Sequence, residues 1–187
     1  MRSRIRPLTI RDAPDLGRVE AAAWTRAYAA LLPDRSLRRL EAPALEARWR
    51  RRLRGAPAGA WGVEEDGLVV AYAVALPARD PDLPAGFAGE LAELYVHPGW
   101  QGRGLGRALL DRTWAAMLES GMGWGVLWVL RDNLSARAFY ERCGLRPDGQ
   151  YKRVAVRGGS VPAVRYARCL GGFDVRTALR PDPGASA

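Results

Sequence analysis

Cysteine, histidine and lysine are almost missing from these 187 residues, and each scarcity removes a class of chemistry. The two cysteines, Cys143 and Cys169, form no CxxC pair, and His97 is the only histidine. That set cannot build a zinc cluster and is too sparse for a disulfide framework. Both cysteines therefore read as buried free thiols in a reducing compartment, and no metal is expected. Apolar runs are short as well. Nowhere do about 18 apolar residues follow one another, which argues against a helix that crosses a membrane. The opening stretch MRSRIRPLTIRDAPDL interrupts its apolar residues with charge and offers no signal-peptide core or cleavage site. The expected location is the cytoplasm.

Lys152 is the only lysine among 29 basic side chains, so the net charge of +9 is carried by arginine spread along the chain. A nucleic-acid binder concentrates such charge on one face. The one dense run here, RWRRRLR at 48–54, reads as the exposed end of a helix, and no nucleic-acid partner is expected. A diffuse positive field would instead favour a polyanionic cofactor or an acidic substrate.

What the sequence does contain is a regular alternation of element signals. RIRPLTI at 4–10 alternates around a proline and suits a short edge strand. Asp12 and Asp15 flank Pro14 ahead of apolar residues at helical spacing, a helix that Pro33 ends or kinks. A second helix is expected over 45–53. WGVEE and LVVAYAVAL around Gly67 predict a hairpin whose second strand is central, because it is apolar throughout. The stretch PARDPDLPAGFAG reads as a loop and a candidate substrate-side flap. ELAELYV at 90–96 is a further strand and runs into HPGWQGRGLG, after which RALLDRTWAAML has helical spacing. GVLWVL at 125–130 predicts a buried strand. Asp132 or Asn133 then caps a helix, SARAFYERC, that ends at Gly144. Two last strands, QYKRVAV and AVRYARCL, follow. One domain over 1–170 with a fraying tail at 171–187 is expected.

The chemistry resides in HPGWQGRGLGRALL. Gly102, Gly104 and Gly106 stand between a strand and an amphipathic helix, where glycine lets successive N–H groups converge on one anion and the helix terminus adds positive potential. The loop lacks the lysine and hydroxyl of a nucleoside-triphosphate loop. Its GxGxG spacing, with no acidic residue at the end of the next strand, also departs from a dinucleotide fingerprint.

LYVHPGWQGRGLGRALL, with Val96, Pro98, Gln101, Gly104 and Gly106, resembles the central signature of the GNAT superfamily of acyl-CoA-dependent N-acyltransferases. NLSARAFYERCGL, with Asn133, Ala136, Phe139, Tyr140, Gly144 and Leu145, is similar to that family's second block at the right separation. The resemblance implies an α/β (α+β) single domain, a mixed and mostly antiparallel sheet flanked by helices, its strands splayed at a CoA cleft. It implies transfer of an acetyl group from acetyl-CoA to a primary amine by direct attack in a ternary complex.

By the same resemblance, the backbone of Tyr95 and Val96 would hold the pantetheine arm. The amides of Gln101, Gly102, Arg103, Gly104, Leu105, Gly106 and Arg107 would take the pyrophosphate. Arg103 and Arg107 are either phosphate partners or solvated arginines. Asn133, Ala136 and Phe139 would border the cofactor. Tyr140 is either the general acid or a packed tyrosine, and the base is Glu90, then Glu93, or else water or another side chain, although simple alternation sets the two carboxylates on opposite faces unless a bulge intervenes. Trp24 and Tyr28 are core residues or substrate contacts. Trp124 and Trp128 are most simply core, and His97 a surface or cap residue. The acceptor would be a small-molecule or peptide amine. A CoA-binding regulatory module without turnover, and a transferase for longer acyl chains or peptide N-termini, are the alternatives. Family habit and seven tryptophans suggest a homodimer.

Overall fold

The computed structural model describes residues 3–28, 41–54, 59–84, 86–156 and 159–171, with all their side chains except those of residues 27, 28, 156 and 159. Pro33 and the tail beyond 171, on which the sequence raised expectations, lie outside the described residues. Seven strands form one sheet in the order β1-β2-β3-β4-β5-β7-β6. They are β1 (Arg4–Pro7), β2 (Ala60–Glu65), β3 (Leu68–Pro77), β4 (Ala88–Val96), β5 (Trp124–Leu130), β6 (Arg146–Val156) and β7 (Gly159–Cys169). Every neighbouring pair is antiparallel except β4 with β5. Strand β1 is shorter than its pattern predicted, because a 3-10 turn at Ile10–Asp12 follows the proline. Strands β6 and β7 are longer than predicted.

Helices α1 (Ala13–Tyr28) and α2 (Ala42–Leu53) cover one face, and α3 (Leu105–Glu119) and α4 (Leu134–Arg142) the other. Strand β3 explains the layering. Val69 to Ala75 are all buried, with Tyr72 and Val74 turned to the core under α1 and α2, and Ala71, Ala73 and Ala75 to the core under α3. A strand buried on both faces reads as the continuous apolar run seen in the sequence. In α3 the buried residues Leu105, Leu109, Leu110, Thr113, Trp114 and Met117 form one stripe, the signature of a helix that packs along a single side.

Helix α3 comes close to the sheet because two glycines face each other beneath it. Gly89 on β4 pairs with Gly125 on β5. A Cβ on Gly125 would stand 2.5 Å from the Trp114 ring, and one on Gly89 would stand 2.7 Å from the Met117 sulfur. Both cysteines are free, Cys143 buried and Cys169 partly so. Among the described residues no helix is long and apolar enough to cross a membrane.

Candidate active site

The parallel contact between β4 and β5 covers only four register positions, from Ala88↔Trp124 to Leu91↔Leu127. Beyond it β4 continues to Val96 and β5 to Leu130 without pairing to each other, so the sheet parts. At the parting β4 carries a bulge. Val74 of β3 lies opposite Glu93 and Ala75 opposite Leu91, which leaves Ala92 without a partner. An inserted residue reverses the alternation beyond it. Glu90 stands opposite Leu76, and Glu93 opposite Val74, and both partners belong to the face under α1 and α2. The two carboxylates thus share one face, and the condition that the sequence left open is met.

Their environments differ. One oxygen of Glu93 accepts from Arg52, while the other is buried with no hydrogen-bond partner among the described residues. Burial pushes the Glu93 carboxyl above its ordinary value, and Arg52 works against that rise. Burial likewise raises Glu90, with Lys152 opposing and Asp80 adding to the rise. Among the described residues Glu90 has no ion pair within bonding distance.

Beneath this pair lies a network that the sequence did not reveal. The Glu20 side chain is buried, and Oε2 accepts from Trp49 Nε1 at 2.9 Å, from the Tyr72 hydroxyl at 3.1 Å and from Arg48. Burial drives the Tyr72 phenol well up, and the charges of Glu20 and Glu93 push it the same way, so it remains a donor. Arg48 and Arg52 belong to the arginine run that was expected to be an exposed helix end. The structure corrects this: four residues apart on α2, they share the side of Trp49, meet Glu20 and Glu93, and stack on the Trp49 ring at 5.8 and 4.8 Å. Their spacing, matching that of the buried residues Leu45, Trp49 and Leu53, was the signal available.

The Tyr95 ring lies 5.5 Å from that of Tyr72, and the Tyr95 hydroxyl accepts from Trp24 Nε1 at 3.0 Å. Trp24 therefore borders the parted strand through Tyr95, and the Tyr28 side chain lies outside the described residues. Trp128, expected in the core, is half-buried. Its indole donates to Asp80 at 3.1 Å, and Lys152 sits over its ring. The candidate flap between β3 and β4 is held down here, since the buried Arg165 binds Asp82 with both terminal nitrogens and Asp148 through Nε.

At the far end of β4, His97 caps the 3-10 turn Pro98–Trp100 by accepting from the Gly99 amide at 3.2 Å. Gly102 and Gly104 take φ of 78° and 80°, a region open to glycine at little cost. Gly104 also stands at the N-cap of α3. Among the described residues the six successive amides from Gly102 to Arg107 have no hydrogen-bond acceptor. Open space surrounds the Cβ positions of Gly102 and Gly104. Gln101 stands apart, its amide turned to the Pro98 carbonyl at 3.4 Å and its side chain donating to the Val96 carbonyl at 3.2 Å. Arg103 folds over Trp100 at 4.4 Å, and Arg107 pairs with Asp111. Gly106 serves packing: its Cβ position lies 3.4 Å from the Phe139 ring and 3.5 Å from Val96.

On α4, Asn133 and not Asp132 is the cap, accepting from the Ala136 amide at 3.1 Å. Ala136, Phe139 and Tyr140 pack against the α3 core, with the Tyr140 ring 5.2 Å from Phe139 and 6.2 Å from Tyr166.

A sheet parted between two parallel strands, with amides unpaired among the described residues at a helix start, gives the chain a cleft and an anion site. Residues 24–145 match the family described as Acetyltransferase (GNAT) family, and the chain belongs to that family. It is similar to an uncharacterized N-acetyltransferase, YuaI, of Bacillus subtilis, with 29% identity over 73% of this chain and 76% of that one. Over a shorter stretch it is 45% identical to the mycothiol acetyltransferase of Beutenbergia cavernae, covering 35% of this chain and only 22% of that protein. Its fold is like that of the PaiA N-acetyltransferase of Thermoplasma acidophilum, solved with coenzyme A. The TM-score is 0.66 and the identity 19%, over 90% of this chain and 99% of that one.

Proposed function

We propose that the chain transfers the acetyl group of acetyl-CoA to a primary amine by direct attack, both substrates being bound together. The observation that carries this reading is the bulge at Ala92. It sets Glu90 and Glu93 on one face where β4 leaves β5.

The residues present fit the cofactor. Six successive amides without acceptors among the described residues, at a helix N-terminus with space around Gly102 and Gly104, suit a pyrophosphate. The strand edge at Tyr95 and Val96, released from β5, offers its backbone to the pantetheine arm. Arg103 and Arg107 can reach outward to phosphate only by leaving Trp100 and Asp111. Asn133 fixes the start of α4, and Phe139 presses on Gly106, so both set the cleft wall by the loop. When bound, acetyl-CoA supplies an acyl group activated as a thioester.

The amine must be neutral to attack, so a carboxylate has to accept its proton. Glu90 suits this role, because its burial raises its proton affinity and no ion pair among the described residues fixes its charge. Glu93, balanced by Arg52, is the fixed carboxylate that orients the amine. The Tyr140 hydroxyl delivers a proton to the departing sulfur. Trp24 borders the acceptor side through Tyr95.

Release of CoA thiol with a panel of primary amines tests the reading. Tyr140→Phe should lower turnover by about a hundredfold or more while acetyl-CoA still raises the thermal midpoint. A wild-type protein that binds acetyl-CoA yet transfers to no amine would overturn the assignment in favour of a binding module.

A further inference from the structure

Lys152 provides the one side-chain amine in the chain, and the fold brings it to the acceptor face. Its ammonium lies 3.9 Å from the centre of the Trp128 ring and 3.9 Å from Asp80 Oδ1. Trp128 is the first β5 residue past the last β4 pairing, Leu91↔Leu127. Glu90 stands opposite Val126, and residues 126 and 128 share a face by alternation. The indole, Asp80 and the proposed base are therefore grouped where the sheet opens, and an ammonium already rests among them. The charge of Lys152 is felt at Glu90, where it opposes the effect of burial.

The amine is also able to move. Its side chain is 42% exposed, and the four-carbon stem of a lysine is flexible, with an ammonium that loses its proton far more readily than a guanidinium does. Every other basic side chain is arginine or His97, and neither type is a comparable acyl acceptor at neutral pH.

We propose that Lys152 is an internal acceptor, and that the chain acetylates its own Nζ when no external amine occupies the face; this rests on the transferase reading above. In the step, the neutral Nζ forms a bond to the acetyl carbonyl carbon and the carbon–sulfur bond breaks with its electrons on sulfur. Nitrogen loses its proton to Glu90, and sulfur gains one from Tyr140. The products are an N-acetylated lysine and free CoA thiol. The modification removes a positive charge from between Asp80, Trp128 and Glu90, leaving a more acidic face for a cationic acceptor.

Purified protein is incubated with acetyl-CoA and no amine, then followed by intact mass and peptide mapping, beside Lys152→Arg, Tyr140→Phe and heat-unfolded protein. The expected result is one acetyl group on Lys152 of the wild type, at a fractional rate unchanged by dilution and absent from Lys152→Arg. Tyr140→Phe should slow it about a hundredfold, with acetyl-CoA binding retained. Acetylation that proceeds equally in the unfolded protein or in Tyr140→Phe, or that slows on dilution, would overturn the proposal. So would a Lys152 left unmodified in the amine-free incubation of a protein that releases CoA once an external amine is supplied, an outcome that leaves the transferase reading intact. Failure of both transfers despite acetyl-CoA binding would overturn the two together.

Discussion

Glu90 and Glu93 face the same way from β4 although three positions separate them, because Ala92 is an extra residue in the β3–β4 ladder. With Glu90 as base, the rate must climb as that carboxyl ionises. Burial lifts it above its ordinary 4.5, so activity should fall away on acidification at a higher pH than an unburied glutamate would give. Glu90→Gln should lower kcat by about 10²–10⁴ and abolish that acid limb. A full pH–rate profile of both proteins checks this. An acid limb unchanged in Glu90→Gln would assign the base elsewhere.

Arg52 balances Glu93, whose second oxygen is buried without a partner among the described residues. Arg52→Met should therefore cost about 2 kcal/mol, less than for a fully buried pair, since both side chains keep some exposure. The denaturant midpoint reads this loss. Adding Glu93→Gln to the same chain should recover part of it, because the cost lies in the orphaned charge.

Gly104 carries φ 80° at the N-cap of α3. Gly104→Ala places a side chain in the left-handed region, at a cost of about 1–2 kcal/mol. With those amides as the proposed pyrophosphate site, the KM for acetyl-CoA should rise more than kcat falls. Steady-state kinetics with acetyl-CoA varied would show the reverse pattern if the loop serves only chain closure.

Gly125 lies under the Trp114 ring, and the 2.5 Å separation of its Cβ position from that ring is too small for any side chain. Gly125→Ala should lose about 1–3 kcal/mol, which corresponds to a fall in Tm of about 2–4 °C per kcal/mol for a chain of this size. Calorimetry measures it. Gly67→Ala offers a contrast, since no atom lies within 4 Å of its Cβ position and only its positive φ opposes the change.

Burial by itself would raise the Asp12 carboxyl, but the Arg6 pair and the Thr9 amide and hydroxyl outweigh it and hold the group below its ordinary 3.8. A carboxyl whose folded value is depressed stabilises the fold fully above the unfolded value and less as pH falls through the folded one. Asp12→Asn should therefore lower stability at neutral pH and have a shrinking effect below about pH 4. Urea midpoints of the two proteins across that range should converge on acidification.

Much of this fold is local and was legible in the sequence. The Gly67 turn, the α3 stripe, the His97 cap and the glycine loop each depend on residues close in the chain. Register is different, since a bulge belongs to two strands at once, and nothing in ELAELYV marks Ala92 as the extra residue. The inward turn of Arg48 and Arg52 was hidden because Glu20 and Glu93 lie 28 and 41 positions away from them. Trp128 looked like core since its strand is apolar, yet β5 lies at the parting, where the face toward Lys152 is only half covered. The paired GNAT motifs carried the family, which the match over residues 24–145 shows.

The short parallel seam has a mechanical meaning. Four register positions between β4 and β5 are the sheet's sole join between the antiparallel halves β1–β4 and β5–β7. Helix α3 adds to the tie, seated over Gly89 and Gly125 at that same seam, and so do Arg165 on Asp82, Trp128 on Asp80 and Phe139 against Gly106. The halves share only that short backbone seam, and a molecule lodged between them would tie both together. Saturation with cofactor should then merge their amide-exchange rates into a single cooperative unit, so that the catalyst is most nearly one body while it is loaded.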